Sequence, residues 1–527
     1  MKSIVGTIVG ASSAATIALT LMAGAAFAEP TTTSIDQSAK GSITVTKLDN
    51  PSGATEATGA QVTDLGTRKK LGGAEFKLCL VDQPLVTNDD IVAASKLDVA
   101  TATIKTDYAE NGFTAGCKTL STSEAATMLG EAKFTDLKVG VYTLTETKAP
   151  KGYVASKPGL VFIPMTDPAT HNTWMYDVYV YPKNSKVGVD KKVSDTDKHV
   201  GQDVTYDVTA DVPALAAAAD FKGMRFDDLL DKRLSTTVDK ISLLAYKGTT
   251  AVDSLALARD TDYKVQVYAN QGDNHDQQKI VLVLTAAGLQ KVADARVAGT
   301  IDKLDMRFDA TVNGSGVILN TAQVYTNAGS GAGYSEPGPD TPPDTPPTPP
   351  TDTPTVYSAW GKVEINKFAT GVDHLAGAEF DLYQCSGTDA APKLEGTPLT
   401  VNNKNHWVTT ADATTVIDGI HVTDYANNAP IPTVTKTYCL VETKAPSGYE
   451  LLAKPVKFDL TVGTIAAGSG PKQVNEVATL SVTKNIENVK YTPKLPLTGG
   501  AGVAAFGLIG LAIIAGGATW MKRRTKA

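Results

Sequence analysis

Three lysines occupy the same place in a repeated pattern: Ile43-x-Val45-x-Lys47, Val187-x-Val189-x-Lys191 and Val363-x-Ile365-x-Lys367. Strand side chains alternate between faces, so each lysine shares the apolar face of the two residues before it. A buried ammonium is expensive unless it is paired, neutral or able to reach water from a strand end. Desolvation lowers a lysine pKa, and the neutral amine is a nucleophile. One such residue is commonly a snorkelling lysine; three in register ask for a shared chemical role. Conventional enzyme chemistry is poorly supplied by comparison. There are six histidines in 527 residues. No GxSxG, HExxH or CxxC…CxxC pattern occurs. The pairs Asp89-Asp90 and Asp227-Asp228 read as solvated or structural turns, so neither a metal nor a cofactor is expected. A formal net charge of −7 argues against nucleic acid, whose binding needs basic surface to displace counterions.

The elements that must position these lysines follow from the chain's organisation. A prior of about 150 residues per domain gives three to four domains. Residues 1–28 read as a secretory signal, with Lys2, an apolar stretch, and Ala26-Phe27-Ala28 at the cleavage point. At the other end, Leu495-Pro496-Leu497-Thr498-Gly499 precedes an uncharged apolar run over 500–520, long enough to cross a bilayer. A basic tail over 521–527 follows and stays cytoplasmic. Losing both ends removes five Lys or Arg and no acid, which moves the net charge to −12 over residues 29–498.

Between the ends, two segments recur. Leu71-Gly-Gly-Ala-Glu-Phe-Lys-Leu78 resembles Leu375-Ala-Gly-Ala-Glu-Phe-Asp-Leu382, and Tyr142 to Tyr153 resembles Tyr438 to Tyr449 around Glu-Thr-Lys-Ala-Pro. One domain type is therefore used twice, over 29–184 and 356–491. Residues 185–330 alternate with period two and carry neither motif, which predicts a second kind of sandwich. Helix-like inserts are expected at 214–220 and 286–297. Nine prolines between 337 and 354 predict an extended polyproline spacer over 331–355. The strand ending the first domain should put Val178, Val180 and Asn184 on one face and Tyr179, Tyr181 and Lys183 on the other. Pro182 suits an edge or strand end. Four cysteines in an exported chain suggest two disulfides. Cys79–Cys117 with Cys385–Cys439 keeps each bridge inside a domain, and is one of three possible connectivities.

LPLTG, apolar span and basic stop, in that order, resemble the cell-wall sorting signal (492–527) read by sortases of Gram-positive bacteria. With the GAEF and ETKAP segments and Tyr181-Pro182-Lys183-Asn184, the chain resembles the major shaft pilins of sortase-assembled pili, actinobacterial fimbrial shaft subunits in particular. The Pro-rich stretch is the main departure. The resemblance implies an all-β chain of three tandem immunoglobulin-like sandwiches, of collagen-adhesin B, A and B types. It implies that sortase cleaves Thr498–Gly499 and joins Thr498 to the Lys183 amine of the next subunit. Identical subunits, a pilin-specific class C sortase and tip or base pilins are the implied partners. A housekeeping sortase would attach the polymer to peptidoglycan after transient membrane insertion of the C-terminal span. The alternative is a monomeric wall-anchored adhesin of the same domains, which would not need Lys183.

The family also offers a role for the buried lysines: a spontaneous Lys–Asn isopeptide bond, assisted by a buried carboxyl. The resemblance assigns Lys367, Asn488 and Glu442 to the last domain. It assigns Lys191, Asn320 and Asp228 to the middle one, with Asp231 in reserve. Lys47, Asn184 and Glu146 form the weakest of the three sets, because Asn184 also belongs to the YPKN motif. In such a bond the neutral amine attacks the carboxamide carbon, and a carboxyl kept protonated by burial relays protons as ammonia leaves.

Overall fold

The computed structural model describes residues 34–49, 58–215, 217–328, 333–346, 348–423, 434–462, 479–491 and 511. The secretory signal, the LPLTG motif with Thr498, the apolar span apart from residue 511, and the basic tail lie outside the described residues.

In the first domain the strand Gly41–Thr46 pairs in parallel with Asp177–Val180 and antiparallel with Glu131–Leu137. A second sheet runs in the order Cys117–Ser121, Glu75–Leu80, Gly140–Lys148, Gly159–Ile163. Ile43, Phe76, Leu78, Phe134, Tyr142 and Val178 fill the space between the two sheets. The last domain repeats the plan. Its strand Val356–Phe368 pairs in parallel with Ser481–Glu487 and antiparallel with Thr415–His421. Its second sheet runs Ala391–Glu395, Glu379–Thr388, Val434–Lys444, Val456–Val462. Even the irregularities repeat. The GAEF strand slips register against the ETKAP strand between Glu75 and Phe76, and again between Glu379 and Phe380. Phe76 is thereby set opposite Glu146, and Phe380 opposite Glu442.

The middle domain stacks two further sheets. One is ordered Val189–Ser194, Asp203–Asp211, Lys303–Val312, Ile241–Lys247. The other is ordered Tyr263–Gln271, Gln277–Leu284, Phe221–Leu229, Ala322–Ala328. The helix expected at 286–297 is present as Ala286–Val297, capped by the Thr285 hydroxyl, which accepts from the Gly288 amide. The helix expected at 214–220 is not. Its described residues hold a single 3-10 turn, Ala218–Asp220, which runs directly into the strand at Phe221. Phe221 is already extended, at φ −80° and ψ 113°, and is buried as the first residue of that strand, which stops the helix after one turn.

The Pro-rich stretch departs from its reading as a spacer. Thr351–Asp352 pairs with the strand Ala322–Ala328 of the middle domain. The Arg225 guanidinium donates to the carbonyls of Asp344 at 2.9 Å and Pro343 at 3.4 Å, and the Tyr268 hydroxyl donates to the Gly338 carbonyl at 2.6 Å. A proline-rich backbone has carbonyls to offer and few N–H groups, so side-chain donors hold it. The polyproline segment thus lies along the middle domain instead of bridging a gap. The join to the last domain falls inside the thirteen-residue strand Val356–Phe368. Its first five residues pair with Gly316–Asn320, and Val356, Tyr357 and Trp360 belong to the middle domain's core. The rest belongs to the last domain.

A buried polar joint reinforces this shared strand. The turn at 195–200 of the middle domain enters the last domain. Asp195 accepts from the Ser358 hydroxyl at 2.5 Å and the Thr423 hydroxyl at 2.8 Å. The Trp360 indole donates to the Lys198 carbonyl at 2.7 Å, and the His421 backbone N–H donates to Nδ1 of His199 at 3.0 Å.

Candidate functional site: three buried lysine centres and one open lysine

In the first domain the Lys47 and Glu146 side chains are fully buried. The Lys47 amine donates to Glu146 Oε2 at 2.7 Å and to Asn184 Oδ1 at 2.5 Å, and Asn184 Nδ2 donates to Glu146 Oε1 at 2.7 Å. The Ser156 N–H and hydroxyl both donate to Glu146 Oε2, each at 2.7 Å. Burial pulls the Lys47 amine down to about 8, against the opposing pull of Glu146. Every polar group of this centre has a hydrogen-bond partner.

The last domain builds the same centre. Lys367 Nζ lies 3.0 Å from Glu442 Oε1, and Asn488 Nδ2 lies 3.1 and 3.3 Å from the two Glu442 oxygens. The Leu452 backbone N–H donates to Glu442 at 2.8 Å, as that of Ser156 does to Glu146. Phe380 lies beneath Lys367 and Phe76 beneath Lys47, each ring centroid 5.5 Å from the amine. One difference matters. Lys367 Nζ is not aligned with Glu442 for a hydrogen bond, and neither it nor Asn488 Oδ1 has such a partner. Burial lowers the Lys367 pKa, opposed by Glu442.

In the middle domain Lys191 Nζ contacts Asp228 Oδ2, both side chains being fully buried. The amine is flanked by the rings of Tyr206 at 5.4 Å and Phe308 at 5.8 Å. Burial lowers the Lys191 pKa and raises that of Asp228; each partner's charge opposes the shift. Asn320 is buried beside Asp228 and the Tyr206 hydroxyl, with neither amide atom aligned for a hydrogen bond. It ends the strand Gly316–Asn320, where the chain leaves one sheet for another at Thr321. Asp231 is engaged elsewhere, by a bidentate bond from Arg233 at 2.8 and 2.7 Å.

Strand pairing brings these residues together. In the outer domains the first and last strands are parallel neighbours, with Ile43 opposite Val178 and Lys367 opposite Ile486. Force applied to the two ends of such a domain loads that ladder along its length. Beside the first centre, Lys183–Asn184 pairs with Leu48–Asp49. Asn184 is fully buried and Lys183 is partly exposed. The lysine lines a cleft of about 160 Å³ between the first and middle domains, with Val154, Lys157, Leu215, Asp220 and Ala328. Partial burial, and then Arg68, lower its pKa.

Cys79 bridges to Cys117 on the adjacent strand, and Cys385 bridges to Cys439. With sequence separations of 38 and 54, each contributes about 4 kcal/mol in the chain-entropy account. Sequence reading missed the donors to the two glutamates. Ser156 and Leu452 share no side-chain chemistry, and the common donor is a backbone N–H. Among the described residues no group of three or more His, Cys, Asp or Glu could hold a metal ion.

Residues 38–185 match the family model of the Gram-positive pilin subunit D1 N-terminal domain, 361–469 a prealbumin-like fold domain, and 487–526 the LPXTG cell wall anchor motif. The chain is 31% identical over 541 residues to fimbrial subunit type 1 of Actinomyces viscosus, covering 95% of each. It is 32% identical to fimbrial subunit type 2 of Actinomyces naeslundii, covering 73% of this chain and 69% of that one. Among solved structures it is similar to the full-length major pilin SpaD of Corynebacterium diphtheriae, at 29% identity and TM-score 0.56. That match covers 88% of this chain and 100% of SpaD. The major pilin SpaA of the same organism matches at 25% identity and TM-score 0.56, over 85% of this chain and 99% of SpaA.

Proposed function

Because the chain belongs to the family of Gram-positive fimbrial shaft subunits anchored through LPXTG motifs, we propose that Lys183 is the amine through which its copies are joined. A sortase cysteine attacks the Thr498 carbonyl, the Thr498–Gly499 amide breaks, and the Gly499 amine leaves with a proton. The Lys183 amine of the next copy then displaces the thiolate from the thioester and forms the new amide. The observation that carries this reading is the split between neighbours: Asn184 is locked into the Glu146 centre, while Lys183 opens into an interdomain cleft. A pilin-specific class C sortase catalyses the step, tip or base pilins share the fibre, and a housekeeping sortase transfers it to peptidoglycan. Lys183→Ala tests the reading. SDS-resistant ladders vanish from the cell surface; if they persist, the amine lies elsewhere. A variant found only as wall-bound monomer alongside an equally monomeric parent would instead favour the adhesin reading.

The buried centres of the middle and last domains form Lys191–Asn320 and Lys367–Asn488 bonds. The amine attacks the carboxamide carbon, the C–Nδ2 bond breaks, and the Asp228 or Glu442 carboxyl carries the proton to departing ammonia. Both amide atoms of Asn320, the Asn488 Oδ1 and the Lys367 amine lack an aligned hydrogen-bond partner, which supports this, since buried polar atoms without such partners are costly and bond formation removes the cost. SpaA, by its published description, has a modular assembly with stabilising isopeptide bonds. In the first domain the Lys47 amine instead donates into a satisfied network, and that centre stays hydrogen-bonded. Each bond formed removes one ammonia, ~17 Da, so the folded mature chain is ~34 Da light beyond its disulfides. A deficit of ~51 Da would place a third bond at Lys47.

A further inference from the structure

The two outer domains end alike, and among the described residues only one of the two ends is covered. In the first domain Val154 N–H donates to Ser185 O at 3.0 Å and Val187 N–H to Gly152 O at 2.9 Å. In the last domain Glu450 N–H donates to Val489 O at 2.9 Å and Tyr491 N–H to Gly448 O at 2.8 Å. Isolated bridges repeat the correspondence, Tyr153 with Lys186 and Tyr449 with Lys490. In the first domain this end is sealed: Val154 and Val187 are buried against Ala328, with Leu215 packed alongside, the last two from the middle domain. In the last domain the equivalent end is open among the described residues. Val489 is 70% exposed, Tyr491 54% and the adjoining Leu451 54%.

We propose that this open apolar end of the last domain is an interface for a second copy of the same chain, seated on the face that carries Lys183. The inference rests on the Thr498–Lys183 linkage. Thr498 lies seven steps along the chain from Tyr491, and at about 3.5 Å each they reach at most ~25 Å. The end of one subunit is therefore held within that radius of the next subunit's Lys183. Three side chains are too few for a free dimer, which needs about 800 Å² from each partner. A short tether changes this, because it supplies an effective concentration on the order of millimolar. The contact thus forms only after the covalent joint is made, and it stiffens that joint as the middle domain stiffens the end of the first. Monomers awaiting assembly do not pair through it.

Hydroxyl-radical footprinting tests the inference, comparing purified wild-type fibres with the Lys183→Ala monomer and mapping cross-linked peptides on the same fibres. Labelling of Val489 and Tyr491 falls at least threefold in fibres, while that of Leu394, on an exposed strand of the same domain, is unchanged. A Thr498–Lys183 cross-link with undiminished labelling at Val489 and Tyr491 overturns the interface and leaves the linkage intact. A cross-link at another lysine overturns the linkage, and with it the seat assigned to this end. The double variant Val489→Asp/Tyr491→Asp gives a second reading. Both side chains are solvent-exposed in the monomer, so it folds and melts as the parent does. Its fibres lose at least half their persistence length in electron micrographs; unchanged stiffness contradicts the proposal.

Discussion

His199 should make the joint between the middle and last domains sensitive to acid. Its Nδ1 accepts the His421 backbone N–H inside the joint, so the ring must be neutral there. Burial lowers its pKa to about 4; His421 and Lys436 push the same way, and Asp197 opposes them. Asp195 approaches the other side of the cluster, 3.3 Å from His421 Nε2, and the Tyr438 ring packs edge-on against His199. The lowered pKa of a base fixes the sign. The folded joint binds fewer protons than the open one, so the stabilisation is complete above pH 6.5 and is lost as pH falls towards 4. A fall from 6.5 to about 4 corresponds to about 3 kcal/mol. The amides of Val200 and Asn402, which bond across the joint at 2.9 and 2.6 Å, report its opening by hydrogen exchange. Between pH 7 and pH 4 their opening free energy, corrected for intrinsic exchange, drops by about 3 kcal/mol more in the parent than in His199→Gln. Glutamine keeps an acceptor and does not titrate. Equal drops in both proteins would refute the reasoning.

Glu442→Gln leaves Lys367 buried without its carboxylate and removes the proton relay. The folded variant is ~17 Da heavier than its sequence-corrected parent, and its last domain becomes the first to yield to trypsin. Arg225→Met frees the Pro-rich segment from its two carbonyl contacts and strips Asp227 of a bidentate partner, leaving Lys279 at 2.8 Å. The expected loss is about 3 kcal/mol, read by denaturant titration, with new proteolytic nicks between 333 and 352. Asp231→Asn leaves the ~34 Da deficit intact, whereas Asp228→Asn halves it, as intact-mass measurement will show.

What the sequence made legible was what repeats locally. Period-two alternation and the paired GAEF and ETKAP segments marked the outer sandwiches, and the same register slip at Glu75 and Glu379 explains why those motifs recur. Lysines 47, 191 and 367 were visible because burial of a charge breaks the apolar pattern at a fixed place. What stayed hidden depends on distant partners. Composition gives the Pro-rich stretch its extended backbone, but Arg225, 118 residues upstream of Pro343, decides where it lies. Gly361, where the register shifts against Thr415–His421, is the one local mark at the join, and a lone glycine does not reveal that one strand serves two domains. His199 and His421 are 222 residues apart, and neither has a local motif. Asn320 was readable as an inward-facing strand residue. The switch of sheets at Thr321 was not, because both strands keep the same alternation through it.

The central claim is that copies of this chain are joined head to tail through one lysine. Mass spectrometry of proteolysed, purified fibres tests it most directly. The account predicts a branched peptide in which the Thr498 carboxyl is amide-linked to the Lys183 amine, with Gly499 and all residues after it absent. A fibre whose Thr498 is joined to any other amine, or whose Lys183 is free throughout, contradicts it.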